Sequence, residues 1–262
     1  MALHITTLIE NTQGEHKALI AEHGLSFFIE KDGHVLLFDT GQSGAFLNNS
    51  AQLALDPTRA EYVVLSHGHY DHSGGLRSLV RETTDFTLVV GQGFFEDKYG
   101  DNDNSREFLG NNFDEAFLKE HRIACRVADQ DLTELLPGVY VVTNFPRIHP
   151  DETINPRFTL RRGDQFVPDL FNDEVLIAID TPKGLLVLLG CSHPGVKNMV
   201  DFAAKTLNRP VYGILGGTHL VEANEKSLGL SLDYLNSSTF QVVGVSHCTG
   251  QHAMQRLAET NP

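Results

Sequence analysis

The segment EYVVLSHGHYDHSGG (residues 61–75) places the cluster HGHYDH (67–72) between an apolar run and a pair of glycines. The run before the cluster is rich in valine and leucine and predicts a buried strand. Gly74 and Gly75 then open a predicted helix, whose apolar residues recur at helical spacing. These residues are Leu76, Leu79 and Val80. The segment therefore predicts a strand, a polar loop and a helix in succession.

The polar loop carries side chains that bind metal ions. Alternate side chains of an extended chain point the same way, so His67 and His69 can bind one cation together. Asp71 and His72 follow a turn, and they can bind a second cation or hold a water molecule. Imidazole with carboxylate suits zinc, iron or manganese. A surface turn that is rich in histidine by chance is the competing interpretation. The strand before the loop and the glycines after it argue against that interpretation.

Three apolar runs of the C-terminal half also end in histidine. They are GLLVLLGCSHPG (184–195), VYGILGGTHL (211–220) and FQVVGVSHCTG (240–250). The histidines at the ends of these predicted strands are His193, His219 and His247. In α/β architectures, ligands bind where the strands end at one edge of the sheet. We therefore expect these histidines and the 67–72 cluster to form one shared site at one edge of a layered sheet.

The motif His-x-His-x-Asp-His after a strand, with an earlier strand that ends in Asp39-Thr40-Gly41, resembles the metallo-β-lactamase superfamily. The resemblance implies a mixed α/β (α+β) fold, a four-layer αββα sandwich with metals at one edge of two packed sheets. Segments spread over most of the chain are similar to a subgroup whose archaeal members include an enzyme that joins a dihydropterin to a ribofuranosylaminobenzene phosphate. These segments are LIENT, AEHGLSFFIE, LLFDTGQSG, GLLVLLGCSHPGVKN, GILGGTHL and VSHCTG.

The resemblance implies roles for individual residues. His67 and His69 match the ligands of the first metal, and Asp71 and His72 match those of the second. Asp71 has an alternative catalytic role, in which it orients the reacting water. His247 matches the final histidine ligand of the superfamily, and a polar strand end with satisfied hydrogen bonds is the competing interpretation.

The segment LLVLLGCSH (185–193) departs from the family pattern. Many members end this strand in an aspartate that bridges two metals, whereas here Cys191 has that place and His193 follows two residues later. We expect His193 to be a ligand. For Cys191 a thiolate ligand and a small buried core residue stay open. His149 is the nearest candidate for the mid-chain histidine ligand, although its loop setting favours solvent exposure.

His219 has two candidate functions, metal ligand and general acid. An imidazole can protonate a leaving group near neutral pH. A strand-end histidine bonded to a backbone carbonyl is the structural alternative. We expect Asp39 to accept a hydrogen bond from a metal-bound imidazole and so to fix its tautomer.

The loop Gly41-Gln42-Ser43 offers backbone N–H groups and a hydroxyl that can hold a phosphate or a pterin-like ring, although such loops are more often simple turns. Three arginines are candidates for binding an anion, and a solvated position on a loop is the more frequent alternative. These arginines are Arg147, Arg161 and Arg162.

The composition limits the class of protein. The chain has 262 residues, of which 20 are lysine or arginine and 34 are aspartate or glutamate, so its formal net charge is -14. This negative charge makes nucleic acid an unlikely partner. Its 3 cysteines include no CxxC pair, so no disulfide framework is expected. There is neither a signal peptide pattern nor an apolar run of about 18 residues. We therefore expect a cytoplasmic protein of one domain over residues 1–262, with a surface insertion around 91–123 and a short helix near 114–120.

Three functions follow from these features. The first is a hydrolase that uses one or two ions of Zn²⁺, Mn²⁺ or Fe²⁺ to activate water against a small anionic or ester-containing metabolite. The second is a transferase that condenses a dihydropterin diphosphate with an arylamine phosphate. The third is a non-catalytic metal-binding protein. The expected partner is a small-molecule substrate, and a homo-oligomer is compatible with the sequence.

Overall fold

The computed structural model of the protein describes residues 2–102, 105–237 and 239–260. In chain order the strands are β1 (Leu3–Ile9), β2 (Ser26–Lys31), β3 (His34–Phe38), β4 (Tyr62–Val64), β5 (Thr87–Gly91), β6 (Asp97–Asn102), β7 (Ser105–Phe108), β8 (Ala124–Ala128), β9 (Leu132–Leu136), β10 (Val139–Val142), β11 (Phe158–Arg162), β12 (Gln165–Pro168), β13 (Leu176–Thr181), β14 (Gly184–Leu189), β15 (Val211–Gly217) and β16 (Val242–Ser246). The helices are α1 (Ala45–Gln52), α2 (Tyr70–Ser73), α3 (Leu76–Glu82), α4 (Glu115–Glu120), α5 (Val196–Leu207), α6 (Glu225–Leu235) and α7 (Gln251–Thr260). Short 3₁₀ helices span Pro57–Arg59, Leu220–Glu222 and His247–Thr249.

The chain divides into two compact units. The first comprises Met1–Val127 and Pro156–Asp169, and the second comprises Ala128–Asn155 and Leu170–Pro262. The single-domain prediction for residues 1–262 stays a prediction, and we describe each unit by itself.

The first unit contains a six-stranded sheet of order β1-β2-β3-β4-β5-β8 and a four-stranded sheet of order β12-β11-β6-β7. Strands β3, β4 and β5 run parallel, so their carboxyl ends lie at the same edge of the sheet. Helix α3 buries Leu76, Leu79 and Val80, as their spacing predicts. These side chains pack into one apolar core with residues of the strands, including Leu37 and Val63.

The region predicted as an insertion, residues 91–123, contributes regular structure to the first unit. Strands β6 and β7 form a hairpin, and β6 also pairs with β11. The predicted short helix is present as α4, and the side chain of Asp114 caps it by accepting a hydrogen bond from the N–H of Phe117 at 2.8 Å. Aspartate is favoured at the position before a helix because its carboxylate accepts a hydrogen bond from an N–H that has no partner inside the helix.

The second unit contains a six-stranded sheet of order β16-β15-β14-β13-β10-β9. Strands β14, β15 and β16 run parallel and are neighbours, so the segments after them begin at one edge. Helix α5 follows β14 and buries Val196, Met199, Val200 and Ala203, the spacing that the sequence shows. The apolar core of this unit joins these residues to the strands and to helices α6 and α7.

No helix within the described part of the chain combines the length and the apolar character that crossing a membrane requires.

Candidate metal centre

A network around Asp39 orders the histidine cluster of the first unit. Asp39 directly follows β3, and Ser66 and His67 follow shortly after β4. The Asp39 carboxylate accepts hydrogen bonds from the N–H of Ser66 at 2.7 Å and from its hydroxyl at 2.8 Å. Nδ1 of His72 lies 2.7 Å from Oδ2 of Asp39, and since a carboxylate only accepts, this nitrogen carries the proton. All four residues have no exposed surface.

The same network fixes the ring of His67. The Ser66 hydroxyl gives its proton to Asp39, so it accepts from Nδ1 of His67, which lies 3.0 Å away. With Nδ1 protonated in both His67 and His72, Nε2 of each ring keeps its lone pair for a metal ion. The expected role of Asp39 as an acceptor for an imidazole is therefore built into the structure.

The three imidazoles of the cluster lie close together. The ring centroid of His67 is 4.6 Å from that of His69 and 4.3 Å from that of His72. A ligand atom of His67 lies within 4.8 Å of one in each of the other two rings. Burial, assisted by the neighbouring His72 and His69, lowers the pKa of His67 well below 6.5. His67 is thus neutral at pH 7, the form that binds metal. The donor set fits a zinc, iron or manganese ion.

Asp71 lies beside this cluster and contacts a histidine that the sequence analysis did not single out. Oδ2 of Asp71 is 3.6 Å from Nε2 of His72 and 3.2 Å from Nε2 of His23. The other ring nitrogen of His23 lies 3.3 Å from Nδ2 of Asn11. Gly24 allows this approach because a Cβ there would lie 2.5 Å from the carbonyl oxygen of Asp71. No spacing rule connects His23 to the 67–72 cluster.

A buried ion pair lies under the cluster. Nζ of Lys98 is 2.7 Å from Oδ2 of Asp169, and both side chains are almost fully buried. Lys98 Cε would lie 3.2 Å from a Cβ on Gly68, and the carbonyl oxygen of Phe94 would lie 2.3 Å from it. Only glycine therefore fits between His67 and His69. The pair joins β6 to the residue after β12, a contact that no local pattern predicts.

The Gly41-Gln42-Ser43 loop already binds an anionic group, the carboxylate of Glu22. Its Oε1 accepts from the N–H of Gln42 at 3.2 Å and of Ser43 at 3.1 Å, and its Oε2 accepts from the Ser43 hydroxyl at 2.5 Å. Binding of a phosphate or a pterin-like ring by this loop stays a prediction, and such a ligand would have to replace Glu22.

The other anion-binding candidates have local partners. Arg147 donates to the carbonyl of Leu170 at 2.6 Å, Arg161 to the carbonyl of Gly163 at 3.1 Å, and Arg162 to Glu96 at 2.7 Å. All three arginines are exposed. Nε2 of His149 lies 2.7 Å from a carboxylate oxygen of Asp201. These contacts agree with the solvated alternatives.

The strand ends carry strained backbone. In the segments that follow β3, β14, β15 and β16, four residues adopt positive φ without being glycine. They are Asp39 (60°), Ser192 (62°), His219 (49°) and His247 (53°). This conformation is uncommon for such residues and is often found at functional sites. These four positions lie in the segments that carry candidate ligands, and six other described residues, Asp32 among them, share the conformation.

In the second unit a buried carboxylate orders the segment after β14. Glu174 accepts from the N–H of Ser192 at 2.6 Å and from the N–H of His193 at 3.2 Å. The His193 ring stacks on Phe171, with centroids 3.7 Å apart and an angle of 11° between the rings. The ring of His219 follows at 4.1 Å from His193. No sequence motif identifies Glu174, which precedes β13.

Two predicted residues of this unit lie together with a third that was not predicted. Ligand atoms of Cys191, His219 and Cys248 are all within 4.8 Å of one another. Burial disfavours protonation of His219, but contacts with Cys248 and Glu222 outweigh it and raise the pKa of His219 to about 10. Burial raises the pKa of the Cys248 thiol, and contacts with Cys191 and His219 outweigh this effect and lower it. His247 is buried at the start of the 3₁₀ helix after β16.

The predicted ligands belong to both units, and the single shared site stays a prediction. The first unit brings together His67, His69, Asp71 and His72. The second unit contains Cys191, His193 and His247, each in or next to the segment after one of its parallel strands. The only sequence signal for Cys248 is its position beside His247.

Comparison with known proteins adds the family. The model of the metallo-β-lactamase superfamily matches residues 19–168, more than half of the chain. The chain belongs to the metallo-β-lactamase superfamily. It is 31% identical to the uncharacterized protein MJ0448 of Methanocaldococcus jannaschii, over 98% of this chain and 94% of that protein. It is 30% identical to 7,8-dihydropterin-6-methyl-4-(β-D-ribofuranosyl)-aminobenzene-5′-phosphate synthase of the same organism, over 98% and 91%.

Solved structures agree with this assignment. Tm1679, described as a metal-dependent hydrolase of the β-lactamase superfamily, has a TM-score of 0.85 at 25% identity, with 99% of this chain and 93% of that chain covered. YhfI of Bacillus subtilis, described as a metallo-β-lactamase fold protein, has a TM-score of 0.53 at 12% identity, with 98% of this chain and 92% of that chain covered. The predicted fold class, mixed α/β of the metallo-β-lactamase type, is confirmed. The superfamily is one of enzymes whose members usually bind metal ions.

Proposed function

We propose that the protein is a metal-dependent hydrolase that acts on a small anionic or ester-containing metabolite through an activated water. The observation that carries this proposal is the ordered histidine cluster of the first unit, in which Asp39 and Ser66 accept hydrogen bonds from Nδ1 of His72 and His67 and so fix the direction of both rings. The likeness to Tm1679 supports the reaction class.

The histidines of the first unit are proposed as metal ligands. His67, His69 and His72 would hold the ion, which is Zn²⁺, Mn²⁺ or Fe²⁺. A bound cation of this kind lowers the pKa of its water and polarises the bond that is cleaved. Asp71 is proposed as a further ligand or as the acceptor that orients the attacking water. Its contact with His23 keeps the carboxylate in place.

Residues of the second unit are proposed to contribute as well. His193 and His247 are proposed metal ligands because both are buried. In addition, His247 itself has positive φ, and His193 directly follows Ser192, which also has positive φ. Cys191 is proposed as a ligand in place of the aspartate that many family members have. His219 is proposed as a metal ligand through Nδ1, with its Nε2 against Glu222, or as a general acid.

A second candidate function is a transferase that condenses a dihydropterin diphosphate with an arylamine phosphate. The identity of 30% over nearly the whole of the synthase favours it. In this reaction the same ligands would bind a cation that stabilises the departing diphosphate. For both reactions we propose a small-molecule substrate, a cytoplasmic location and no nucleic-acid partner.

The test combines metal analysis with two activity assays. Purified protein is loaded with zinc or manganese and offered phosphodiesters and lactones, and separately a pterin diphosphate with and without an arylamine. Turnover of the first set supports the hydrolase, and pterin consumption that depends on the arylamine supports the transferase. The double variant His67→Ala/His69→Ala should lose activity and the metal that the histidine cluster holds, while the exposed His4→Ala should keep both. Bound metal without turnover of either set would contradict both reactions and leave the non-catalytic metal-binding protein.

A further inference from the structure

Cys191, His219 and Cys248 converge at the edge of the second unit's sheet. They belong to the segments that follow the neighbouring parallel strands β14, β15 and β16. Cys191 and Cys248 are 3% and 7% exposed, and the His219 side chain is 18% exposed. Residues far apart in sequence therefore place two sulfurs and an imidazole at one buried position.

The spacing of these donors suits a thiophilic cation. Their ligand atoms lie within 4.8 Å of one another. A tetrahedral zinc ion with Zn–S of about 2.3 Å and Zn–N of about 2.1 Å needs its ligand atoms about 3.6–3.8 Å apart. The donors would have to close by at most about 1 Å, which side-chain rotation provides. Three ligands leave the fourth tetrahedral position for water or substrate.

The surrounding residues hold this arrangement. The N–H of His219 lies 3.3 Å from Sγ of Cys248, and that Sγ lies 3.5 Å from the carbonyl oxygen of Cys191. Gly217 has no Cβ, and one there would lie 2.6 Å from Sγ of Cys248. Oε2 of Glu222 lies 3.3 Å from Nε2 of His219. A carboxylate on the far nitrogen is the usual partner of a metal-bound histidine, and it leaves Nδ1 as the donor.

A packing function explains the thiols less well. Buried cysteines often act as small apolar residues. Both thiols are buried, yet neither belongs to the apolar cluster of the second unit as far as the structure describes it. Sγ of Cys248 lies instead against polar groups, the N–H of His219 at 3.3 Å and the carbonyl oxygen of Cys191 at 3.5 Å.

We propose that Cys191, His219 and Cys248 form a binding site for a thiophilic divalent cation such as Zn²⁺, with Glu222 as the residue that orients His219. The site adds Cys248 to Cys191 and His219, which are already candidate ligands, and goes beyond the hydrolase proposal. With Cys248 the metal has two metal–sulfur bonds, whereas the hydrolase proposal by itself, with Cys191 as the thiolate ligand, has one.

Cobalt titration tests the site directly. Metal-free protein is titrated with Co²⁺, and the thiolate-to-cobalt absorption in the near ultraviolet is recorded. We expect this band in the wild type and in Cys125→Ser, whose thiol is exposed and outside the site. In Cys191→Ser and Cys248→Ser the band should fall by about half, because each removes one of two metal–sulfur bonds. His67→Ala/His69→Ala should retain the band.

Thiol protection gives a second measurement that needs no variant of the site. Of the 3 cysteines, Cys125 should react in the folded protein whether or not zinc is bound, whereas Cys191 and Cys248 should react more slowly in the zinc-loaded than in the metal-free folded protein. Absence of the cobalt band at saturation, or a full band in Cys248→Ser, overturns the proposal. Turnover without the band overturns the sulfur site and the proposed Cys191 ligand but leaves a hydrolase whose metal the histidines hold, whereas the band without turnover leaves only the sulfur site.

Discussion

Replacing Asp39 by asparagine changes one hydrogen-bond acceptor into a donor and leaves the shape of the side chain intact. Asparagine tolerates the φ of 60° that Asp39 adopts. Its carbonyl oxygen can still accept from the N–H of Ser66, as Oδ1 does at 2.7 Å. The new NH₂ group takes the place of Oδ2 and faces Nδ1 of His72, which lies at 2.7 Å and carries a proton in the wild type.

The variant must resolve this conflict in one of two ways. If His72 keeps its tautomer, two buried donors face each other, which costs about 1–3 kcal/mol of folding free energy. If the proton moves to Nε2, the nitrogen proposed to bind metal loses its lone pair. Loss of such an orienting partner typically reduces metal affinity by about 10–100-fold, or about 1.4–2.7 kcal/mol. We expect the second effect to dominate because the ring can change tautomer without moving any heavy atom.

The assay is competition for zinc with a chelator of known affinity, together with urea unfolding of the metal-free protein. The matched control is Asp32→Asn, since Asp32 also has a positive φ (52°) but is exposed and contacts the N–H of Ala2 and Lys31. The control should bind zinc as the wild type does. A zinc affinity of Asp39→Asn within about twofold of the wild type, with unchanged unfolding, would refute the proposed function of the carboxylate.

Three further predictions concern the strand ends. Gly217→Ala should lower the free energy of unfolding by about 1–3 kcal/mol, since its Cβ would lie 2.3 Å from the carbonyl oxygen of Gly190; thermal unfolding measures this. Glu174→Gln keeps one oxygen for the Ser192 N–H but places a donor against the N–H of His193, and it should cost about 1–3 kcal/mol in urea, with unchanged stability as the contrary result. His67 has a pKa well below 6.5, so the unfolded chain binds a proton that the folded chain does not. The metal-free protein should therefore lose stability as the pH falls below about 6.5, and His67→Gln should flatten this slope in urea titrations at several pH values.

The fold and the first histidine cluster could be predicted because their signals are local. Residues 61–80 contain the strand, the histidine loop and the apolar helix face in one continuous stretch, and the motif in that loop carries the resemblance that implies the fold, which family membership confirms. The apolar spacing of α5 likewise follows from consecutive residues. Asp39 could be assigned as an acceptor because it stands at the end of the neighbouring strand.

The partners that complete the site could not be predicted because nothing in their own neighbourhood identifies them. Asp169 lies 71 residues from Lys98, and neither residue belongs to a motif. Glu174 precedes a strand, whereas the pattern that was followed marks residues after strands. Glu22 occupies the loop that was predicted to bind a phosphate, because its carboxylate accepts hydrogen bonds from the same N–H groups.

In each of the two units a buried carboxylate holds a Ser-His pair that follows a strand. Asp39 and Glu174 have no exposed surface, and each accepts the backbone N–H of the serine in a Ser-His pair, Ser66 and Ser192. Burying a carboxylate costs several kcal/mol unless hydrogen bonds compensate, so a purely structural fold gains little from two of them. What both carboxylates achieve is a fixed direction for the histidine that follows the serine. Fixed imidazoles therefore explain the two buried carboxylates better than stability does. Such fixed imidazoles are expected where a protein binds metal and not where it only closes a loop.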